Sequence, residues 1–266
     1  MTWNVFHGRD WPPEEQLQVR AHKGNWRRGP IRGKEYEQVN WDLFDEFAAM
    51  INGASWDVAL FQEFPPSWRT KMAQACGADS HRALSGRNWL QPLTSIIGRW
   101  RPDLLGALEG GSNTTLVRRE AGPIVERRRV VLTRRPELRV MALTRLQSGV
   151  CAANFHVSTK PSSAEAELIA AAERALSFAG GRPLVFGGDF NVRPGESGVF
   201  ERLEQRFGLA PPTAPDRLSH LLVHGLEVDQ HPAAWPPQAR DVSDPKTGLK
   251  IRLSDHNAVQ ARFRFG

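Results

Sequence analysis

The sequence is poor in cysteine and has no long hydrophobic run, and each absence excludes a class of protein. Its 266 residues include 2 cysteines, too few for the disulfide framework of a small secreted domain. We therefore expect Cys76 and Cys151 to be reduced thiols in the core. No apolar stretch approaches the roughly 18 residues of a membrane span, and the N-terminus lacks the residue order of a signal peptide. The expectation is a soluble, cytoplasmic protein without stable membrane insertion.

The charge of the chain is unbalanced toward the positive side. The formal net charge is +6 and the pI is about 9.9, which favours a polyanionic partner such as nucleic acid or an anionic membrane surface. Arginine supplies most of this charge, and an arginine-rich chain can also reflect a bias in genomic composition. The charge alone leaves both explanations open.

The length and the pattern of apolar residues predict one α/β domain over residues 1–266. Apolar runs bounded by turn residues predict strands, and helical spacing of apolar residues predicts helices. The predicted strands are 2–6, 56–64, three within 113–150, 150–158, 182–191, 217–223, 249–253 and 257–265. The predicted helices are 41–51, 162–181 and 197–207, with Ser162 or Ser163 as the N-cap of the second, and 67–110 is expected to be mixed helix and loop.

Polar residues end or interrupt five of the predicted strands. They suit metal and phosphate chemistry, and they are Asn4, Glu63, Asn154 with His156, Asp189 with Asn191, and Asp255 with His256. Unpaired buried charges are costly, so these groups must be paired, hydrated or metal-bound. Taken singly, each also fits an ordinary role, such as a solvated strand end, a core histidine or a turn.

The order of these residues is more specific than any one of them. The motifs WN, QE, NxH, GDxN and SDH follow one another from Trp3 to about Val259. This order resembles the endonuclease/exonuclease/phosphatase superfamily. The resemblance implies an α/β fold, a four-layer sandwich of two mostly antiparallel β-sheets flanked by helices. It also implies a hydrolase of phosphodiesters or phosphomonoesters that uses a divalent metal, Mg²⁺ or Mn²⁺.

The resemblance assigns three residues to the metal. Glu63 matches the metal-ligating glutamate, and carboxylate oxygens are the ligands that Mg²⁺ prefers. Asp255 matches the aspartate of the SDH motif, which is expected to be a second ligand. Asn4 matches the asparagine beside the metal, where a neutral amide orients water or a phosphate oxygen without adding negative charge.

The same resemblance assigns the catalytic positions. Asp189 is expected to orient or deprotonate the attacking water, and Asn191 to steady that water or the developing phosphorane. His256 is expected to contact the phosphate or act as a general base, and His156 to donate to the phosphate or the leaving oxygen. Asn154 is expected to contact the substrate. Preorganised donors of this kind account for most of the rate enhancement in such sites.

One position departs from the superfamily pattern. The superfamily usually carries an aspartate that orients the SDH histidine, whereas this chain reads RLSHLLV with Ser219 in that place. A serine can accept a hydrogen bond from imidazole but cannot stabilise an imidazolium by charge. Asp216 has the wrong strand parity and Asp229 is predicted to lie in a loop, so neither is a convincing substitute. We expect a competent but slowed site, in which Ser219→Asp preserves or raises activity.

Basic and aromatic residues are mixed in the segment 9–34. Trp26, Arg27 and Arg28 are the expected substrate-binding residues of this segment. Basic side chains neutralise phosphates, and indole rings stack on bases. The alternative is a solvated loop whose tryptophans pack on the domain. A second basic run, ERRRVVLTRR, is expected to be the exposed face of a strand.

These features support three functions in descending order. The first is a Mg²⁺-dependent nuclease, an endonuclease or exonuclease, that acts on DNA as a monomer. The second is a phosphatase or phosphodiesterase for lipid or small-molecule phosphates, although no membrane-seeking segment stands out. The third is a catalytically weakened nucleic-acid-binding protein, which Ser219 keeps open.

Overall fold

The computed structural model describes residues 1–18, 29–86 and 111–265. Its strands are β1 (Thr2–Asn4), β2 (Ile31–Arg32), β3 (Glu37–Gln38), β4 (Val58–Phe64), β5 (Ala78–Leu84), β6 (Ser112–Arg118), β7 (Ile124–Thr133), β8 (Arg139–Leu146), β9 (Cys151–His156), β10 (Leu184–Asp189), β11 (Ser219–His224), β12 (Glu227–Ala234), β13 (Asp241–Ser243), β14 (Lys250–Arg252) and β15 (Val259–Arg264). Within these ranges the α-helices are α1 (Phe44–Gly53), α2 (Arg69–Ala75), α3 (Pro161–Ala179) and α4 (Val199–Phe207).

The longer strands form two sheets. One sheet has six strands in the order β12-β15-β1-β4-β6-β5, and the other has five in the order β11-β10-β9-β8-β7. Within both sheets, neighbours are antiparallel except for β1 with β4 and β9 with β10. Each sheet therefore contains one parallel pair among its described strands, and parallel neighbours end at the same edge of a sheet.

Apolar clusters define four layers. Leu60 and Val259 of the six-stranded sheet pack with Leu221 of the five-stranded sheet, so the two sheets face each other. The outer face of the first sheet is covered by α1 and α2 through a cluster that includes Phe47. The outer face of the second sheet is covered by α3 and α4 through a cluster that includes Leu168. The predicted four-layer α/β sandwich is confirmed.

The longest helix, α3, begins slightly earlier in the chain than predicted. Its first residue is Pro161, and the N-cap is Lys160 rather than Ser162 or Ser163. Proline suits this position because its missing N–H would have no helical partner there. The helix ends as predicted, with Gly180 in the left-handed conformation at φ 57°, where glycine carries no steric penalty.

Five strands were not predicted. Three of them, β2, β3 and β13, have only two or three residues each, too few for a pattern of apolar residues. Ala78–Leu84 forms β5 within the segment expected to be helix and loop. The polar run from Asp79 to Arg82 leaves this strand without an apolar alternation in the sequence. The rest of that segment, 87–110, lies outside the described residues. Glu227–Ala234 forms β12, an edge strand whose side chains are mostly exposed, so it carries little of the apolar signal that marks a strand.

Two further findings concern the cysteines and the helices. Cys76 and Cys151 are buried free thiols, as predicted. In the described part of the chain, none of the helices has the length and apolar character needed to cross a membrane.

Candidate active site

The two parallel strand pairs bring the predicted site residues to one edge of the sandwich. Asn4 at the end of β1 lies opposite Gln62 of β4, which places Glu63 beside it. His156 at the end of β9 lies opposite Asp189 at the end of β10. Because the sheets face each other, the polar ends of both pairs converge. Sequence positions far apart in the chain therefore meet at one site, as the motif order predicts.

Gly188 explains part of this placement. Its φ is +150°, and a Cβ atom built there would lie 1.9 Å from the carbonyl oxygen of Phe155. Only glycine allows β10 to lie this close to β9 at this point. The glycine of the GGD motif is therefore needed to set the position of Asp189.

Asn4 joins the carboxylates of the two sheets. Its side chain is 1% exposed. Its Nδ2 donates to Glu63 Oε1 at 3.2 Å and to Asp189 Oδ2 at 2.9 Å. Its Oδ1 accepts from the backbone N–H of Phe6 at 3.0 Å. The buried amide thus holds two carboxylates together without adding charge.

Two predicted histidines face the same carboxylates. His156 Nδ1 lies 3.7 Å from Glu63 Oε1, and its Nε2 lies 3.7 Å from Asp189 Oδ2. His256 Nε2 lies 3.7 Å from Asp189 Oδ2 and 3.9 Å from Asp255 Oδ1. We call the following residues the catalytic cluster: Asn4, Glu63, His156, Asp189, Asp255 and His256.

A third histidine, His7, belongs to the cluster and was missed from the sequence. Its Nε2 lies 3.2 Å from Glu63 Oε2. A Cβ atom at Gly111 would lie 3.3 Å from the His7 ring and 3.1 Å from the Glu63 backbone, so a glycine there leaves room for this contact. His7 stands three residues after Asn4, on the opposite face of a regular strand. The chain leaves the strand before His7, which no alternation pattern predicts.

The backbone at the cluster is unusual. Among the described residues, the non-glycine residues with positive φ are Phe6, His7, Glu63, Asn191 and Ser254, at φ between 47° and 61°. Each is a site residue or lies next to one. Such conformations cost on the order of 1–3 kcal/mol each and are typical of functional sites. They redirect side chains at the strand ends toward the centre.

The SDH segment is anchored directly to β1. Trp3 Nε1 donates to the carbonyl oxygen of His256 at 2.8 Å. Ser254 Oγ donates to the carbonyl oxygen of Asn4 at 2.7 Å and accepts from the His256 N–H at 3.1 Å. The first and last motifs of the chain thus support each other, which fixes His256 beside Asp189.

The carboxylates of the cluster have divergent acidities. Burial raises the pKa of Asp189, but His256, His156 and the hydrogen bond from Asn4 outweigh it and hold the pKa below its usual value. Burial likewise opposes a lowered pKa at Glu63, where His7 and His156 prevail. Burial raises the pKa of Asp255 above its usual value, and the opposing effect of His256 is smaller. Glu63 and Asp189 are therefore the firmly ionised pair.

The histidines divide in the same way. Burial lowers the pKa of His156, and Asp189 and Glu63 do not fully compensate. At His256 burial also lowers the pKa, but Asp189 and Asp255 outweigh it and raise the pKa above its usual value. One histidine is thus favoured as a neutral group and the other as a proton carrier, a division typical of acid–base sites.

Two predicted asparagines take different positions. Asn191 lies at the edge of the cluster, where its backbone N–H donates to Asp189 Oδ1 at 3.2 Å and its Nδ2 donates to the Val157 carbonyl at 2.9 Å. Asn154 is fully buried between the sheets. Its Oδ1 accepts from Gln62 at 2.8 Å and its Nδ2 donates to the Phe61 carbonyl at 3.2 Å. Asn154 therefore connects the two sheets and does not lie where a substrate could contact it, contrary to the prediction.

No carboxylate in the described structure takes the place of an aspartate at Ser219. Ser219 lies opposite Asp189 in the register of β10 with β11, and its side chain is buried. Asp216 is largely exposed and pairs with Arg217, while Asp229 pairs with Arg262 on the surface. The structure therefore agrees with the sequence: position 219 carries a serine, and neither Asp216 nor Asp229 replaces the missing aspartate.

The basic segments divide into two cases. Trp26, Arg27 and Arg28 lie outside the described residues, so their role stays a prediction. Trp11 packs edge-on against Phe6 at 5.5 Å between ring centroids, which matches the alternative of tryptophans packed on the domain. Residues 126–133 of the run ERRRVVLTRR lie on β7, and the arginines of the run are exposed, as predicted.

The donor set fits a hard divalent cation. The carboxylates repel one another, since Asp189 raises the pKa of Glu63 and both of them raise the pKa of Asp255. A divalent cation would relieve this repulsion, and carboxylate oxygens suit Mg²⁺ and Mn²⁺. Across residues 1–18, 29–86 and 111–265, no three acidic, histidine or cysteine side chains are arranged as a ready metal site. In the structure, Glu63 and Asp189 accept hydrogen bonds from Asn4, and each of the three carboxylates lies beside a histidine.

Comparison with known proteins gives a family and a fold. Residues 1–256 match the Endonuclease/Exonuclease/phosphatase family. The chain resembles a mannosyl-6-phosphatase of Bacteroides thetaiotaomicron, with 15% identity, 84% of this chain and 90% of that chain covered, and a TM-score of 0.62. It also resembles the human nocturnin catalytic domain with bound sulfate (15% identity, 84% and 87% covered, TM-score 0.55) and humanized D. rerio TDP2 (14%, 99% and 96%, 0.55). A search of curated proteins finds no match.

Proposed function

The chain belongs to the endonuclease/exonuclease/phosphatase family, and we propose that it is a metal-dependent nuclease that hydrolyses phosphodiester bonds in DNA. Members of this family are hydrolytic phosphoesterases and are generally dependent on divalent metals. The observation that carries the proposal is the catalytic cluster, in which Asn4 joins Glu63 and Asp189 next to two histidines.

Glu63 and Asp255 would hold the metal ion, with Asn4 keeping Glu63 in place. Mg²⁺ or Mn²⁺ bound there would neutralise negative charge on the phosphate and make phosphorus easier to attack. Both carboxylates lie beside histidines that can donate to phosphate oxygens. The cluster thus combines anionic metal ligands with neutral or cationic donors to the substrate.

Asp189 is the residue proposed to position the attacking water. Its lowered pKa keeps it ionised near neutral pH, so its oxygens accept hydrogen bonds and cannot donate them. The hydrogen bonds from Asn4 to Oδ2 and from the Asn191 N–H to Oδ1 fix the carboxylate in one orientation. A carboxylate of low pKa is a weak base, so orientation of the water is its main contribution.

His256 is the residue proposed to supply a proton. Its raised pKa favours the protonated form, and its Nε2 lies within the cluster beside Asp189. As water attacks phosphorus and the ester P–O bond breaks, the leaving oxygen takes up a proton that His256 Nε2 can donate. His156, with its lowered pKa, remains neutral and serves as a hydrogen-bond donor to a phosphate oxygen.

The charge of the chain supports a nucleic-acid substrate. A net charge of +6 favours association with a polyanion and raises its local concentration. A second candidate is a phosphatase or phosphodiesterase for small phosphorylated compounds. It is favoured by the similarity to a protein named as a mannosyl-6-phosphatase.

The test is cleavage of supercoiled plasmid by the purified protein with Mg²⁺ or Mn²⁺, with EDTA as the first control. We expect nicking that EDTA abolishes and that Glu63→Gln reduces by about 10³-fold or more. Glu201→Gln makes the same chemical change at an exposed position of α4 and should cleave like the wild type.

Other outcomes favour the other candidates. Hydrolysis of hexose 6-phosphates or p-nitrophenyl phosphate without plasmid cleavage would replace the nuclease with a small-molecule phosphatase. Salt-sensitive DNA binding without any hydrolysis would contradict the enzyme proposal and support a binding protein.

A further inference from the structure

A cleft lined by arginines lies directly beside the catalytic cluster. Its volume is about 440 Å³, a size typical of ligand sites. It shares Asp255 and His256 with the cluster and also contains Ser219. The arginines on its walls are Arg193, Arg217, Arg240 and Arg252. We call this site the arginine cleft.

Arg240 is a buried cation without an anionic partner. Its side chain is 5% exposed. Its Nη1 donates to the carbonyl oxygens of Ser254 at 2.5 Å and Leu253 at 3.2 Å. Among the described residues no carboxylate oxygen lies within 4.0 Å of it, and its buried Nε has no hydrogen-bond partner. A buried charge without a counter-charge in direct contact is unfavourable, so a bound anion would stabilise this arrangement.

Burial lowers the pKa of Arg240 to about 10, with Arg252 acting in the same direction and the more distant Asp255 and Asp241 opposing it. The guanidinium is therefore still charged at neutral pH.

Two further polar atoms of the cleft have no partner within the described structure. Ser219 is 4% exposed, and its buried Oγ makes no hydrogen bond. The buried Nε of Arg217 also makes none. An N–H or O–H left buried and unpaired is destabilising. With Arg240 Nε, three potential donors of one cleft share this feature.

The remaining charges of the cleft are largely compensated. Arg252 binds Asp241 at 2.7 Å, and Arg193 pairs with Glu196 at 3.2 Å. Asp216 pairs with Arg217 at 3.3 Å and is mostly exposed. Asp255, the other carboxylate of the cleft, lies 3.9 Å from His256, and together with Asp241 it acts on Arg240 only from beyond ion-pair distance. Among the described residues, Arg240 is therefore the arginine of the cleft that has no ion pair.

We propose that the arginine cleft binds a second phosphate of the substrate, adjacent to the phosphate that is hydrolysed. The proposal rests on the phosphoesterase function, because it places the two phosphates on one molecule. Guanidinium and hydroxyl donors suit phosphate oxygens, and charge-assisted bonds to them are the stronger kind. The substrate class is an ester with at least two phosphates, either a nucleotide chain or a small polyphosphorylated compound.

This proposal gives Ser219 a physical role. An aspartate at this position would add a third carboxylate to Asp216 and Asp255 of the cleft and increase the repulsion of a second phosphate. A serine presents a hydroxyl donor instead. The residue that weakens support for His256 would thereby adapt the site to a more anionic substrate.

The test is isothermal titration calorimetry with tripolyphosphate in metal-free buffer containing EDTA. We expect Ser219→Asp and Arg217→Ala each to weaken tripolyphosphate binding about tenfold. Ser219→Asn has the shape of the aspartate without its charge, so it should weaken binding much less. Arg128→Ala removes one positive charge from β7, the edge strand farthest from β11, and should change binding by less than about twofold. Circular dichroism of each variant checks that it is folded.

Competition identifies the source of the phosphate. Displacement of tripolyphosphate by a single-stranded oligodeoxynucleotide would support a nucleotide chain. Displacement by fructose 1,6-bisphosphate alone would support a small compound. Equal tripolyphosphate affinity in the wild type, Ser219→Asp and Arg217→Ala would overturn the proposal.

Failure of this proposal is distinguishable from failure of the proposed function. The calorimetry requires neither metal nor turnover. If the wild type binds tripolyphosphate through the cleft but hydrolyses no phosphoester, the proposed anion site stands and the proposed enzyme function fails. If the wild type cleaves DNA while Ser219→Asp and Arg217→Ala bind tripolyphosphate normally, the proposed enzyme function stands and the proposed anion site fails.

Discussion

The catalytic cluster and the arginine cleft share His256 but differ in how their charges are arranged. In the cluster, the carboxylates of Glu63 and Asp189 already face Asn4 and histidines. In the cleft, Arg240 and Ser219 keep buried polar atoms without partners in the described structure. A ligand of the cluster must therefore displace existing contacts, whereas the proposed phosphate of the cleft would supply partners that the described protein groups do not.

The backbone shows the same contrast. The described non-glycine residues with positive φ all lie in or next to the catalytic cluster. The arginines and the serine of the cleft have ordinary φ values. Strain is tolerated where several side chains must meet at fixed distances, while long arginine side chains reach a phosphate from an unstrained backbone.

Removal of the central carboxylate should have the largest effect. Asp189→Asn keeps the shape of the side chain but removes the charge that orients water and faces His256. We expect kcat on plasmid DNA to fall by about 10²–10⁴-fold. Asp229→Asn, a surface residue paired with Arg262, should cleave normally. Near-normal cleavage by Asp189→Asn would mean that the cluster is not the reaction centre.

A buried histidine beside the cleft, His220, should make the fold less stable in acid. His220, next to Ser219 on β11, is fully buried and accepts a hydrogen bond from the Thr213 N–H at 3.0 Å. Burial lowers its pKa to about 4. Between pH 6.5 and 4 the unfolded chain binds a proton that the folded chain excludes, so stability falls as the pH falls. The loss should reach about 3 kcal/mol near pH 4.

Urea unfolding at several pH values measures this effect. His220→Gln should be less stable at pH 7 but should lose less stability on acidification than the wild type. His231→Gln, at an exposed position on β12, should leave the acid dependence unchanged. A wild type equally stable at pH 7 and pH 4.5 would contradict the expectation.

His7 should influence metal affinity rather than the fold. Its Nε2 lies 3.2 Å from Glu63 Oε2 and holds the proposed metal ligand in one orientation. We expect His7→Ala to weaken Mn²⁺ binding about 10–100-fold, measured by calorimetry without substrate. His7→Gln retains a side-chain donor and should recover part of the affinity. Unchanged or tighter Mn²⁺ binding in His7→Ala would remove this role.

The sequence predicted the site better where a motif ends a regular strand than where the chain leaves one. Asn4, Glu63 and Asp189 end strands whose apolar runs are clear, so their convergence follows from parallel pairing. His7 was missed because positive φ at residues 6 and 7 breaks the alternation.

Asn154 was misassigned for a related reason. It stands two residues before His156 and shares its strand face, but it lies deeper between the sheets. A motif gives the face of a residue and not its depth. The arginine cleft was not predicted at all, since its arginines come from separate loops and strands that only the folded chain brings together.

The smallest expected effect tests the residue that connects the two regions. Ser219→Asp adds a carboxylate to the cleft that His256 also lines, which should favour the protonated imidazole. Asp189 and Asp255 already face that histidine, so the gain should be far below the 10⁴-fold effect of the serine-protease carboxylate, at about two- to fivefold in kcat. The readout is hydrolysis of bis(p-nitrophenyl) phosphate, which has a single phosphate.

On an oligonucleotide the same variant should show a higher KM, because the added charge repels the second phosphate. A lower kcat on the single-phosphate ester would show that His256 works without a carboxylate at position 219, and that serine there is not a compromise in catalysis.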